Sequence, residues 1–394
     1  MSRDFWVVLF CALLLRVLFA FTVLGFPPDI ACFVGWANQA VELGLFRIYS
    51  GTMYIDYPPG YLYVLWLLGS LKEIFGLSDE SSVFLVLLKL PALLADLALA
   101  SLLFFLARER LGEERALLLF ALCALNPAIG LDSALWGQVD SVFMLPLFAG
   151  VLFLARGRLE LSALFFALAL LVKPQTLIFS PLWLFALLER RDFSVVLRSI
   201  AGGLAVFLGL SFPFSFPRVV SIYRGAVGAY QYATLNAFNL FALLGGNWVP
   251  DTQRIFFLSF REWGYVAIGV ITLLSAYLFF SRKDTERFPV VALFLAFSVF
   301  LFVHRMHERY LFPALCFALW WYVYRPDWRV LTLFLGLSAT FFLNVGLILL
   351  FGFYGRYHFP RHDLRLVLIS LANLALWVFF LFLALQKKSK GEMV

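Results

Sequence analysis

The chain is 394 residues long; 63% of them are apolar, 19% aromatic and 14% charged. Soluble domains carry about 25% charged residues, so a soluble globular protein is excluded and a polytopic membrane protein is implied. The net charge of +7 fits basic cytoplasmic loops, and no basic stripe of the kind that binds nucleic acid interrupts the apolar runs.

Apolar runs at 5–26, 83–107, 116–131, 141–155, 159–172, 176–189, 199–213, 263–281, 288–303, 310–324, 330–351 and 364–386 predict an all-α protein with about twelve spans. The first run carries Arg16 at its middle and lacks a small-residue cut site, so it reads as a retained span rather than a cleaved signal. Arg16 and Asp96 both fall near the centre of their spans, where a lone charge is costly, and are expected to pair.

After the first run, residues 27–59 read as an amphipathic loop. Ile30, Phe33, Val34, Ala37 and Val41 share one helical side, with Gly35, Asn38, Gln39 and Glu42 opposite, the pattern of a helix lying on a membrane surface. Asp29 opens that helix, either as its N-cap or as an acid at the water–lipid boundary. The run 60–75 is short of the roughly twenty residues that cross a bilayer, so it is expected to be re-entrant or interfacial. With it left out, the connectors rich in Arg and Lys all fall on the side of the N-terminus, which makes both termini cytoplasmic.

The opposite side then collects Asp29, Asp56-Tyr57-Pro58-Pro59, Trp136 to Asp140, Lys173-Pro174-Gln175, residues 214–262, residues 304–310 and residues 354–363. The 214–262 segment is too amphipathic for disorder and is expected to form short helices over an outer cavity. No repeat or linker is evident, so residues 1–394 read as one domain. Cys11, Cys123 and Cys316 lie in apolar runs and only Cys32 is near an aqueous face, which is no disulfide framework.

His304, Arg305, His307 and Arg309, with the Glu308 carboxylate among them, concentrate donors that could hold an anion such as a phosphate, or else snorkel to headgroups as an interfacial anchor. No further His or Cys stands at metal-ligand spacing. Lys89 and Lys173 could turn cations towards the same cavity or snorkel. Trp136, Gln138 and Asp140 combine a flat ring, an amide and a carboxylate, which suits a sugar as well as it suits a polar turn with an aromatic-belt tryptophan.

These stretches resemble the GT-C glycosyltransferases, within them the dolichyl-phosphate-glucose glucosyltransferases, the second GPI-anchor mannosyltransferase and their prokaryotic relatives. The match lies in Asp29, Asp56-Tyr57-Pro58-Pro59, Gly137-Gln138-Val139-Asp140-Ser141 and Met306-His307-Glu308-Arg309, with Lys89 before Asp96 and Lys173 before Gln175. Arg309 stands where the family usually has lysine, and Ser133-Ala134-Leu135 where the eukaryotic enzymes have histidines.

The resemblance implies a GT-C fold and an inverting transfer of a hexose, mannose or glucose, from a polyprenyl-phosphate carrier to a lipid-linked or polymer glycan acceptor. It implies Asp29 as general base and His307, Arg309, Arg305, Lys89 and Lys173 around the donor phosphate. Asp56, Tyr57, Trp136, Gln138, Asp140, Glu308 and His304 would bind the sugar or acceptor. Side-chain cations could stabilise the leaving phosphate, so no cofactor is needed and a divalent metal is not demanded, although it stays open. The expected location is the plasma membrane of a prokaryote, with the site on its extracytoplasmic face. The alternative is a transporter or lipid-linked sugar flippase, which should show paired repeats and ionisable residues along a midplane pathway.

Overall fold

A computed structural model describes residues 2–190, 192–228 and 230–386, and in them the chain is helical apart from two short strand pairs. Its contacts divide it into two compact units, Met1–Gln231 with Val345–Tyr357 and Tyr232–Asn344 with His358–Val394.

The first unit holds α1 (Arg3–Thr22), α2 (Pro27–Arg47), α3 (Pro59–Ile74), α4 (Ser82–Leu111), α5 (Glu113–Ala124), α6 (Pro127–Gly130), α7 (Asp140–Ala155), α8 (Leu159–Val172), α9 (Ser180–Glu189), α10 (Phe193–Ser211) and α11 (Phe216–Gly228). α4 is its axis and packs against α1, α5 and α7, while α8 joins α7 to α10 and α2 lies on α3. The second unit holds α12 (Leu240–Leu243), α13 (Phe260–Ser281), α14 (Arg287–Phe302), α15 (Phe312–Tyr324) and α17 (Leu364–Leu385). α14, apolar on all sides and buried almost throughout, is packed by α13, α15 and α17. α16 (Trp328–Phe353) contributes residues to both units.

Among the described residues seven helices are long and apolar enough to cross a membrane, and Asp140–Ala155, Leu159–Val172 and Arg287–Phe302 are apolar but shorter. The chain is an integral, multi-pass membrane protein, and among its described residues the expected count of about twelve spans is not confirmed. The run expected at 176–189 is divided at Pro181, which lacks the N–H to continue the preceding turn, into the end of a 3₁₀ turn, Pro174–Phe179, and the ten-residue α9. The run expected at 310–324 becomes the 13-residue α15, roughly 20 Å long against a hydrocarbon core of about 30 Å.

α2 is amphipathic as expected, with Ile30, Phe33, Trp36, Ala37 and Ala40 buried. Gln39, placed on the polar side by the sequence, is also buried. Its amide donates to the carbonyls of Ile48 and Met53 and accepts from the Met53 N–H, fixing the chain that returns beneath the helix. α2 meets α3 at Gly69, where a Cβ would stand 2.6 Å from the Ala37 carbonyl oxygen. The 214–262 segment supplies two short helices, α11 and α12, together with short strands. Arg16 and Asp96 form the expected pair: Arg16 Nε lies 2.9 Å from Asp96 Oδ2 and both side chains are buried.

Candidate active site

In the first unit the site begins where α1 ends. Pro27 and Pro28 occupy the first turn of α2, positions without need of an N–H, and the N-cap is Phe26. Asp29 is therefore not the cap; its carboxylate lies in the first turn, half-buried, and faces another segment.

That segment is the π-helical turn Leu131–Trp136, closed by Gly137 at φ 88°, a conformation open to glycine. A Cβ on Gly137 would also stand 2.8 Å from Ile30 Cδ1, so glycine lets this turn lie against α2. Trp136 Nε1 and Gln138 Nε2 both donate to Asp29 Oδ2, each at 2.6 Å. The Trp136 ring stacks on Phe26, 4.2 Å between centroids, and the Phe26 N–H donates to the Trp136 carbonyl at 2.9 Å. Trp136 is fully buried, so the flat ring expected to face a sugar instead holds the carboxylate.

Behind Gln138 stand three further groups named from the sequence. Its Oε1 accepts from Lys173 Nζ and from Tyr57 Oη, each at 3.3 Å. Lys173 Nζ in turn lies 2.8 Å from Asp140 Oδ1. Lys173, expected near the donor phosphate, is thus buried and paired with a carboxylate.

Lys89 departs further from expectation. It is fully buried and donates to the carbonyls of Ala20, Val23 and Ala134, tying the end of α1 to the π-helical turn. An ammonium has three protons to give, and backbone acceptors take them here. Asp56 receives the Tyr230 hydroxyl at 3.1 Å. Burial pushes its carboxyl above the usual range; the Tyr230 hydrogen bond and the Lys173 charge oppose that push, and the Asp29 charge adds to it. Tyr230 carried no sequence signal, since a tyrosine in an amphipathic loop is unremarkable by itself.

The second unit contains the His304 to Arg309 cluster. Arg305 has φ 63°, and its N–H reaches the carbonyls of Tyr232 and Ala233. Its guanidinium binds Asp251 Oδ2 at 2.7 Å, and Arg261 binds Oδ1 of the same carboxylate at 2.7 Å. Burial raises the Asp251 carboxyl, but the hydrogen bonds from Arg261 and Arg305 outweigh it and hold it below the usual carboxylate range. Arg305, expected at a phosphate, is engaged with this acid.

His304 is buried with its ring edge-on to Tyr265, and burial first, then Arg305, pushes its imidazole down to about 4. The ring expected to meet a sugar is thus buried and held neutral. Met306–His307 forms a parallel strand pair with Thr234–Leu235. Glu308 is buried and accepts from Arg309, and the His307 ring lies 5.2 Å from that of Tyr310.

Neither Asp251 nor Arg261 was singled out in the sequence, nor was the set of asparagines that builds this unit. Asn236 Oδ1 accepts from Trp248 Nε1 and the Phe359 N–H, Asn247 Oδ1 from the Asn236 N–H, and Asn344 Oδ1 from the Phe238 N–H. Their partners lie up to 123 residues away, so no local motif marks them. Among the described residues no group of three or more His, Cys, Asp or Glu side chains could hold a metal ion.

Among solved structures the chain is similar to ArnT from Cupriavidus metallidurans, crystallised with undecaprenyl phosphate, at 15% identity and a TM-score of 0.48. That alignment covers 96% of this chain and 76% of the other. No curated protein sequence matches the chain. The model of glycosyltransferase family 87 matches residues 54–303, more than half of the chain and most of the stretches described above. The chain belongs to glycosyltransferase family 87.

Proposed function

We propose that the protein is an inverting glycosyltransferase of the GT-C type, in which Asp29 takes the proton of an acceptor hydroxyl as a hexose leaves a polyprenyl-phosphate carrier. The observation that carries this reading is the Asp29 carboxylate, half-buried at the start of α2 and held by two donors at 2.6 Å. A base must keep one orientation through the reaction, and short hydrogen bonds from a buried indole and a buried amide supply that. Membership of a glycosyltransferase family weighs against the transporter alternative.

The acceptor oxygen attacks the anomeric carbon from the face opposite the phosphate. The new glycosidic bond forms as the bond from carbon to phosphate oxygen breaks, the hydroxyl proton passes to Asp29, and polyprenyl phosphate departs. One displacement inverts the anomeric centre. Charge gathers on the leaving phosphate, for which the motif resemblance suggests His307 and Arg309 as donors, although Arg309 is paired with Glu308 and Arg305 with Asp251. Mannose and glucose are the sugars favoured by the motif resemblance, and a lipid-linked or polymer glycan is the acceptor. The site is placed on the extracytoplasmic face of a prokaryotic plasma membrane with both termini cytoplasmic, on the side shared by the basic connectors.

The test is Asp29→Asn, assayed with radiolabelled polyprenyl-phosphate mannose and polyprenyl-phosphate glucose and a membrane-lipid extract as acceptor pool. Asparagine keeps the size and an oxygen for Trp136 and Gln138, so yield and thermal stability should hold while turnover falls about 10²–10⁴-fold. Wild-type turnover in a folded Asp29→Asn protein, with Asp56→Asn inactive, would move the base to Asp56.

A further inference from the structure

We propose that Lys173 and Asp140 are positioning residues, which set the Asp29 carboxylate at a distance through the side-chain amide of Gln138. The proposal rests on Asp29 being the base and names the groups that aim it.

A glutamine amide has a donor end and an acceptor end, and its two orientations are nearly equal in shape. At Gln138 charge decides between them. The oxygen faces the Lys173 ammonium and the Tyr57 hydroxyl, each at 3.3 Å, and the NH2 faces Asp29 Oδ2 at 2.6 Å. Turning the amide over would set NH2 against an ammonium and oxygen against a carboxylate, two repulsions in place of two attractions. Gln138 is 2% exposed, so water cannot easily relieve either one.

Lys173 can act this way only if it is itself fixed, and three features fix it. It is 5% exposed, paired with Asp140 at 2.8 Å, and its ammonium lies between the rings of Tyr57 and Phe143, 5.8 and 5.7 Å from their centroids. The backbone favours the same charges. Asp140 is the first residue of α7 and Lys173 directly follows α8, so the carboxylate sits at a helix N-terminus and the ammonium at a helix C-terminus. The order Asp140, Lys173, Gln138, Asp29 therefore alternates acceptor and donor without a gap.

The reading also separates two roles for Lys173. A phosphate contact would appear in donor affinity, whereas a positioning role appears in turnover.

The experiment uses the full-length protein in lipid bilayers, labelled with carboxyl-¹³C aspartate, and reads infrared bands of the carboxylates. The band lost in Asp29→Asn belongs to Asp29. Lys173→Met should move that band, and so should Lys173→Met combined with Asp140→Leu, a pair that leaves no buried charge unpaired if the single variant fails to fold. In a Gln138→Ala background the same substitutions should leave the band where Gln138→Ala alone puts it.

Turnover of the labelled polyprenyl-phosphate mannose should fall about tenfold to a hundredfold in Lys173→Met with KM for the donor unchanged. An Asp29 band that ignores Lys173, or shifts equally with and without Gln138, overturns the proposal, as does a rise in donor KM alone. Full turnover in Asp29→Asn would instead remove the base, while the band shifts still judge the relay by themselves.

Discussion

Asp96→Asn is the substitution whose cost the structure defines most closely. Asp96 Oδ2 receives Arg16 Nε at 2.9 Å and the Ser133 hydroxyl at 2.6 Å, among helices long and apolar enough to cross a membrane. An asparagine oxygen can still accept from Ser133, but the charge that matches Arg16 is gone. Breaking a buried ion pair by removing one partner costs about 3–5 kcal/mol. Arg16 keeps hydrogen bonds to the Ala12 and Ala124 carbonyls, which places the loss towards the lower end, about 3 kcal/mol. With an unfolding entropy of about 2.1 cal/mol/K per residue over the 394-residue chain, this is a fall of roughly 4 °C in the midpoint of thermal unfolding. The assay is tryptophan fluorescence of the purified protein in detergent micelles. Arg16→Met with Asp96→Leu removes both charges and should recover to within about 1 kcal/mol of wild type, since Ser133 also reaches the Ile129 carbonyl at 3.1 Å. Additive losses in the double variant would refute the pairing argument.

Lys89→Met should lower turnover and thermal stability together while donor affinity holds, because the ammonium binds carbonyls; weakened donor binding alone would return Lys89 to the phosphate. Gly264→Ala drives a Cβ into His304 Nδ1 and should cost roughly 1–3 kcal/mol in thermal unfolding, and an unchanged midpoint would show that this contact yields freely. His304 gives a pH dependence of fixed sign. Its imidazole is held down to about 4, below the ordinary 6.5, so on acidification the unfolded chain takes the proton first. Its contribution to stability is whole above the ordinary value and is lost as pH falls towards the lower one. His304→Gln should flatten the decline of the unfolding midpoint between pH 6.5 and 4, and parallel slopes in the two proteins would contradict the buried neutral ring.

The long apolar helices and the central ion pair were legible because both follow from local facts, an apolar run being visible in its own residues and a charge inside one demanding a partner, whereas the runs at 176–189 and 310–324 gave only short helices. Residue roles were less legible. Trp136 and Lys89 were marked as unusual, but whether an indole faces a sugar or a carboxylate depends on what packs against it. For Lys89 the partners are main-chain carbonyls of Ala20, Val23 and Ala134, groups that every residue carries and no sequence pattern flags. Gln39 was assigned to the polar side by its chemistry, yet it is buried because a returning loop offers it two carbonyls and an N–H. Asp251 is the clearest omission: Arg305 was read as available for an anion because the acid it binds lies 54 residues earlier in an undistinguished loop.

Residues 131–140 show how stability and chemistry are joined in this chain. Ser133, inside the π-helical turn, is held by Asp96; the Ala134 carbonyl is held by Lys89; Gln138, just beyond the turn, is held by Lys173 and Tyr57. All of these anchors come from groups that could not stay in an apolar phase without partners. A polar residue retained in such surroundings for packing alone could be replaced by a hydrocarbon of the same shape. Here the backbone these anchors fix also carries Trp136 and Gln138 to Asp29. The Arg16→Met with Asp96→Leu protein should therefore recover stability more fully than turnover, since it restores the packing of the spans while Ser133 loses the carboxylate that holds the turn.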